Sequence, residues 1–191
     1  MENDLQKVIA RILKDIRVDL TDEFDRNFER QGFFSQKWKR RKSPMRPGGS
    51  LLIDTGSLRR SVQSRSTDSS ITFYSSHPAA AIHNEGGEIK VTRKMKAYFW
   101  HKYMNAAGVL VFCRKKNGEL RKDKGTRQIS TEAEFWKLLA LMKVGSSIKI
   151  PKRQFLGTTP EVEKTITEII EENLTEYFNH GLIVGGTRSS K

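Results

Sequence analysis

From Asp4 to Arg30 the chain contains neither Pro nor Gly, and Leu5, Val8, Ile9, Ile12, Ile16, Leu20, Phe24 and Phe28 recur every three or four residues. That period puts the apolar side chains on one face of a helix, with Gly32 as its stop. A second stripe runs from Val162 through Ile166, Ile169, Ile170 and Leu174 to Tyr177 and Phe178, and Gly181 can end it. Thr159 is a good N-cap, and Pro160 suits the first helical position, where a missing N–H costs nothing. Glu161 and Glu163 favour the positive end of the helix dipole. Two long helices, each apolar on one face, need a surface to cover, and a sheet is the obvious one.

The intervening stretch supplies strand signals. Ser61–Arg65 and Ile71–Tyr74 read as two strands joined by a Thr67-Asp-Ser-Ser70 turn. Pro78–His83 is apolar and leads to Gly86-Gly87, a bulge or turn. The β-branched content of Val109–Cys113 predicts a further strand, followed by a polar, basic hairpin tip or mobile loop over 114–127. Thr131-Glu-Ala-Glu134 is a capping-box pattern that opens a short helix ending at Gly145. Ile148 starts a last strand. The expected fold is α+β: an antiparallel sheet of short strands flanked by long N- and C-terminal helices. At 191 residues the chain fits a single domain over 1–191, with its core at about 5–180, a basic insertion at about 114–143 and a flexible tail at 182–191. Such a chain buries a core without disulfides or metal.

The formal net charge is +13, and it is unevenly spread: residues 31–60 and 101–150 each carry +7, while both ends are mildly acidic. Lys37, Lys39, Arg40, Arg41 and Lys42 surround Trp38 in a stretch rich in Pro and Gly, a loop or mobile arm. Such a segment can neutralise phosphates while the indole stacks; packing of Trp38 into the core is the simpler reading. Arg114, Lys115, Lys116, Arg121, Lys122 and Lys124 form a second group, facing either nucleic acid or an acidic neighbouring subunit. The longest apolar run, Ala106–Cys113, is too short to span a bilayer, and the N-terminus lacks the features of a secretory signal, so no membrane partner is expected.

Chemistry-bearing patterns are sparse. There is no G-x-x-x-x-G-K-[ST] and no G-x-G-x-x-G phosphate loop, and His77, His83, His101 and His180 lack metal-ligand spacing. Cys113, the single cysteine, excludes an internal disulfide and reads as a small buried hydrophobe in an apolar strand. Most carboxylates fall on solvated faces of the two terminal helices; Asp54 stands apart and reads as a helix cap. No catalytic residue, cofactor or metal is expected.

Several segments in order do carry a pattern: Trp38 after the first helix, Leu52-Ile-Asp-Thr-Gly-Ser-Leu-Arg-Arg-Ser61, Ala80-Ala-Ile-His-Asn-Glu-Gly86 and Ile150-Pro-Lys-Arg-Gln-Phe-Leu-Gly157 before the final helix. This order resembles the phage virion morphogenesis family, the tail-completion proteins of Mu-like and related phages and prophages. Val91–Trp100 is similar to a further family segment; Ala80 departs from the family's usual Tyr. The resemblance implies a structural role in tail completion or head–tail joining, a fold similar to phage neck and tail-terminator proteins, and assembly into a homo-oligomeric ring. It also implies contact with other tail or neck proteins, and a life in the host cytoplasm and then in the virion. A basic nucleic-acid-binding module is the alternative. The motif residues are expected to act in packing. Asp54 or Thr55 caps, Gly56 turns, and Leu58 plugs the core. Ile82 is core, and His83 is hydrogen-bonded beside the Gly86 turn. Pro151 and Arg153 lead into the core anchors Phe155 and Leu156, and Gly157 turns into the last helix.

Overall fold

The apolar period of the first segment produces α1 (Glu2–Arg30). In this computed structural model, which describes residues 2–41 and 48–185, α1 buries Ile16, Leu20, Phe24 and Phe28. Leu5 and Ile9, from the same stripe, stay exposed. The helix stops one residue earlier than Gly32 suggests, because Gln31 adopts a left-handed φ of 56°. Gly32 instead opens β1 (Gly32–Phe33), which pairs antiparallel with β2 (Gln36–Lys37).

The chain separates into two compact units. The first comprises residues 1–38, 50–84 and 153–191; the second comprises 39–49 and 85–152. In the first unit, the short helix α2 (Ser57–Arg60) leads to β3 (Val62–Ser66), which pairs with β4 (Ile71–Ser75) in a register running from Val62↔Ser75 to Ser66↔Ile71. Alternation turns Val62, Ile71 and Phe73 toward the core. Helix α3 (Ala80–Glu85) follows, and α6 (Pro160–Gly185) closes the unit. Helices α1 and α6 run antiparallel: Arg11 meets Glu176 at 2.6 Å, and Asn173 Nδ2 donates to Asp15 at 3.1 Å. Val162 and Ile169 of α6 join the α1 residues in one core, where Phe24, Phe28 and Phe155 are fully enclosed. Burial of each such ring stabilises the unit by about 1.5–3 kcal/mol relative to leaving it in water. Helix α6 continues past Gly181 to Gly185, so residues 182–185 of the expected tail are helical, and the remainder lies outside the described residues.

The second unit pairs β5 (Gly87–Lys90) with β6 (Ser147–Ile150), in register from Gly87↔Ile150 to Lys90↔Ser147. Between them stand α4 (Arg93–Phe112) and α5 (Lys124–Leu141), packed on each other through Phe99, Trp136 and Ala140. Three sequence expectations fail here. Val109–Cys113 is no strand: Val109–Phe112 ends α4, and Cys113 is its half-buried C-cap. Packing of Met95, Phe99, Tyr103 and Ala106 continues the helical period and overrides the β-branched preference. Thr131 does not open α5; Asp123 does, its side chain accepting from Thr126 N at 2.8 Å. Thr131 sits mid-helix, with Oγ1 donating to Arg127 O at 2.9 Å. The helix ends at Leu141, before Gly145. The basic tip is a tight reversal over 114–120, held by the Arg114↔Leu120 bridge.

The architecture is α+β, with long helices at both ends of the chain; the strands form three separate two-stranded antiparallel sheets rather than one. Among the described residues, no helix is long and apolar enough to cross a membrane.

Candidate functional site

Many of the motif residues meet in the first unit. Trp38 is buried, and its ring stands edge-on to Phe28 with centroids 5.8 Å apart; Phe28 in turn lies 5.3 Å from Phe155. The indole N–H of Trp38 donates to the Gln154 carbonyl at 2.7 Å, so the ring is both packed and anchored. Leu58 and Leu156 are buried in the same cluster. Ile82 is half-buried and lies outside that cluster, because α3 is short and buries none of its residues fully.

The α3 end and the segment before α6 are tied backbone to backbone. The amide of Arg153 donates to the His83 carbonyl at 2.7 Å. Asn84 Oδ1 accepts from both Phe155 N and Leu156 N, at 2.9 and 3.0 Å. One side-chain oxygen thereby satisfies two amides in a non-helical segment that has no ladder to bond to. Arg153 itself is buried. The His83 ring departs from expectation: its Nδ1 is buried with no hydrogen-bond partner. Burial first, then the positive field of Arg153 and of His77, pushes its pKa below the usual 6.5, so the imidazole is held neutral.

The turn before α2 also differs in detail. Neither Asp54 nor Thr55 is the N-cap; Gly56 is, with φ 76° and no side-chain cap bond. Thr55 Oγ1 accepts Ser57 N at 3.3 Å, a local turn bond that stands in for a cap. Gly86 has φ 76°, and a Cβ there would sit 2.8 Å from Lys152 N, so close backbone approach requires glycine. Pro151, beyond β6, is exposed, and Gly157 bends the chain toward α6 with φ 133°.

Four further residues carry this knot without having been singled out by the sequence. Asn84 is one. Gln31 reaches the backbone of Leu51, its Oε1 accepting the amide and its Nε2 donating to the carbonyl at 3.4 Å. Asn27, fully buried, accepts Phe34 N at 2.8 Å and holds that residue's left-handed backbone. Arg59 of α2 grips α1 through Asp25 and Glu29; Nε to Asp25 Oδ1 is 2.5 Å, and the second nitrogen reaches Glu29 at 2.7 Å. The hydrogen bond from Arg59 holds the Asp25 carboxyl below its ordinary range, and both acids raise the guanidinium's pKa. The signal available was only an acidic residue every three or four positions from Asp15 to Glu29 in α1.

The basic residues are placed differently. Lys37 is exposed and donates to the Arg30 carbonyl at 2.9 Å, a C-terminal cap on α1. Lys39 and Arg40 are exposed and Arg41 half-buried, while Lys42 lies outside the described residues. Arg114, Lys115 and Lys116 are exposed on the reversal after α4, Arg121 and Lys122 on the segment before α5, and Lys124 at the first residue of α5. Among the described residues, no group of three or more His, Cys, Asp or Glu is placed to hold a metal ion. What the knot does chemically is bind the chain to itself: amides find acceptors and aromatic rings fill the space between them.

The model of the phage virion morphogenesis family matches residues 3–175. The chain belongs to the phage virion morphogenesis family. The match spans both compact units and includes every motif segment from Trp38 to Gly157. As a member of the phage virion morphogenesis family, the protein has a structural role in phage virion assembly and is associated with the virion. No curated protein and no solved structure matches it.

Proposed function

We propose that this phage virion morphogenesis protein completes the tail or joins head to tail, acting as a homo-oligomeric ring without catalytic activity. One observation carries this reading within the family: the motif residues are spent on internal ties, among them the Asn84, Trp38 and Phe155 contacts, rather than displayed toward a substrate. Such a knot makes a rigid building block. Its partners are further copies of itself and other tail or neck proteins, met in the host cytoplasm and then in the particle. Native mass measurement of the purified chain, together with protein mass analysis of intact virions, tests this. A closed oligomer that is present in particles is expected; a monomer absent from particles overturns it.

Contact with packaged DNA is the second reading, favoured by the exposed cations from Arg114 to Lys124. It predicts duplex binding that weakens steeply with salt.

A further inference from the structure

The strongest unassigned feature is the outer face of α4. Phe99 and Ala106 are buried, yet Trp100, Met104, Val111 and Phe112 are 39%, 63%, 62% and 80% exposed. The last two turns of α4, Ala106–Phe112, are apolar all round, a pattern normally covered on every side. Immediately after Phe112 the chain turns strongly basic. Three of its cations are engaged locally: Arg114 with Gly118 O at 2.7 Å, Arg121 with Phe112 O at 2.7 Å, and Lys115 with Glu119 at 3.8 Å. Lys116, Lys122 and Lys124 have no ion-pair partner among the described residues. The end of α4 is therefore an apolar knob with a cationic rim.

The complementary surface is on the same chain. The outer side of α6 gathers Glu168, Glu171, Glu172 and Glu176 around Thr175. Phe178, 62% exposed, follows seven residues after Glu171 and so shares its side of the helix. Glu168 pairs with Lys164, and Glu176 with Arg11, whereas Glu171 and Glu172 have no ion-pair partner among the described residues.

We infer that the apolar, cation-rimmed end of α4 in one copy docks on the acidic, Phe178-bearing face of α6 in a second copy. Each chain carries one of each surface, so the contact can repeat head-to-tail from copy to copy, the arrangement that builds a ring when its rotation closes. The inference rests on the oligomeric reading above and names the surfaces that make it. Opposite charges set register and partner choice, and the aromatic and aliphatic side chains supply buried area. A nucleic-acid partner fits less well, since phosphates leave Val111 and Phe112 in water.

Two charge-reversed full-length chains test this: Lys116→Glu with Lys122→Glu, and Glu171→Lys with Glu172→Lys. All four positions are exposed, and circular dichroism with a thermal melt verifies that each chain folds. Native mass measurement is expected to show the parent as an oligomer and each reversed chain as a monomer, with association weakened roughly a hundredfold or more. Mixing the two reversed chains is expected to restore assembly with alternating subunits. Persistence of the oligomer in either reversed chain overturns this interface and leaves the ring reading standing. A parent chain that is monomeric alone and absent from particles overturns the ring reading. Monomeric reversed chains that fail to rescue each other, with duplex binding lost on reversing the lysines alone, assign the loop to nucleic acid and overturn the proposal.

Discussion

Phe155 and Asn84 show two ways in which single residues hold this protein together. Phe155 is wholly buried against Phe28, so Phe155→Ala removes a ring and leaves a cavity, with an expected loss of about 3–5 kcal/mol in denaturant unfolding. Asn84→Ala removes little volume but strips the acceptor from two amides; about 1–3 kcal/mol per group left unsatisfied is expected. A larger loss for Asn84→Ala than for Phe155→Ala would mean that the knot depends on hydrogen bonding more than on packing. The first of these residues was legible in the sequence and the second was not. An aromatic within Arg153-Gln-Phe-Leu-Gly157 advertises itself, whereas Asn84 acts on residues 71 and 72 positions away, and no local pattern reveals a side-chain oxygen's distant donors. His83, its neighbour, drew attention instead, and its Nδ1 turned out to be without a partner.

At the level of elements, helices α1 and α6 and the β3–β4 hairpin were legible because each obeys one period against one buried face. Helix α4 was not, since its last two turns, Ala106–Phe112, are apolar all round and blur the period, and Val109–Val111 then reads as a strand. The start of α5 was mistaken because two capping patterns stand in series, and Asp123 with Thr126 precedes Thr131. The attachment of α2 to α1 invites its own test. Arg59→Ala breaks the contacts to Asp25 and Glu29, but those carboxylates are 44% and 60% exposed, so the expected cost is below about 1 kcal/mol. The difference from the parent shrinks as salt rises, which denaturant melts at two ionic strengths would read. An undiminished difference in high salt would assign Arg59 a packing role instead.

For the molecule as a whole, stability is expected to depend on pH through His83 in one window and through carboxylates in another. Its folded pKa lies below 6.5, so the unfolded chain takes up the proton first as pH falls. Stability is therefore expected to decline as pH drops from about 6.5 and to level off below the lowered folded value, in urea melts across that window. His83→Gln should flatten this decline. The carboxylates Asp25 and Glu23, held low by Arg59 and Arg30, lose their contribution only in more acid solution, as pH falls through the carboxylate range, so the two windows separate. A parent chain with constant stability through the upper window would show that the imidazole is not the group being protonated.

The first unit is built from three pieces of sequence, the last of which is residues 153–191. On the ribosome, the apolar face of α1 is made before the second unit, and α6, which packs on it, only after that unit. Phe24 and Phe28 meet Phe33, Trp38 and Phe73 soon after they are made, whereas the part of this core that Val162 and Ile169 supply waits until residues 85–152, a continuous segment able to pack early, have been made. A chain cut before residue 153 accordingly lacks Phe155, Leu156, Val162 and Ile169, which complete this core.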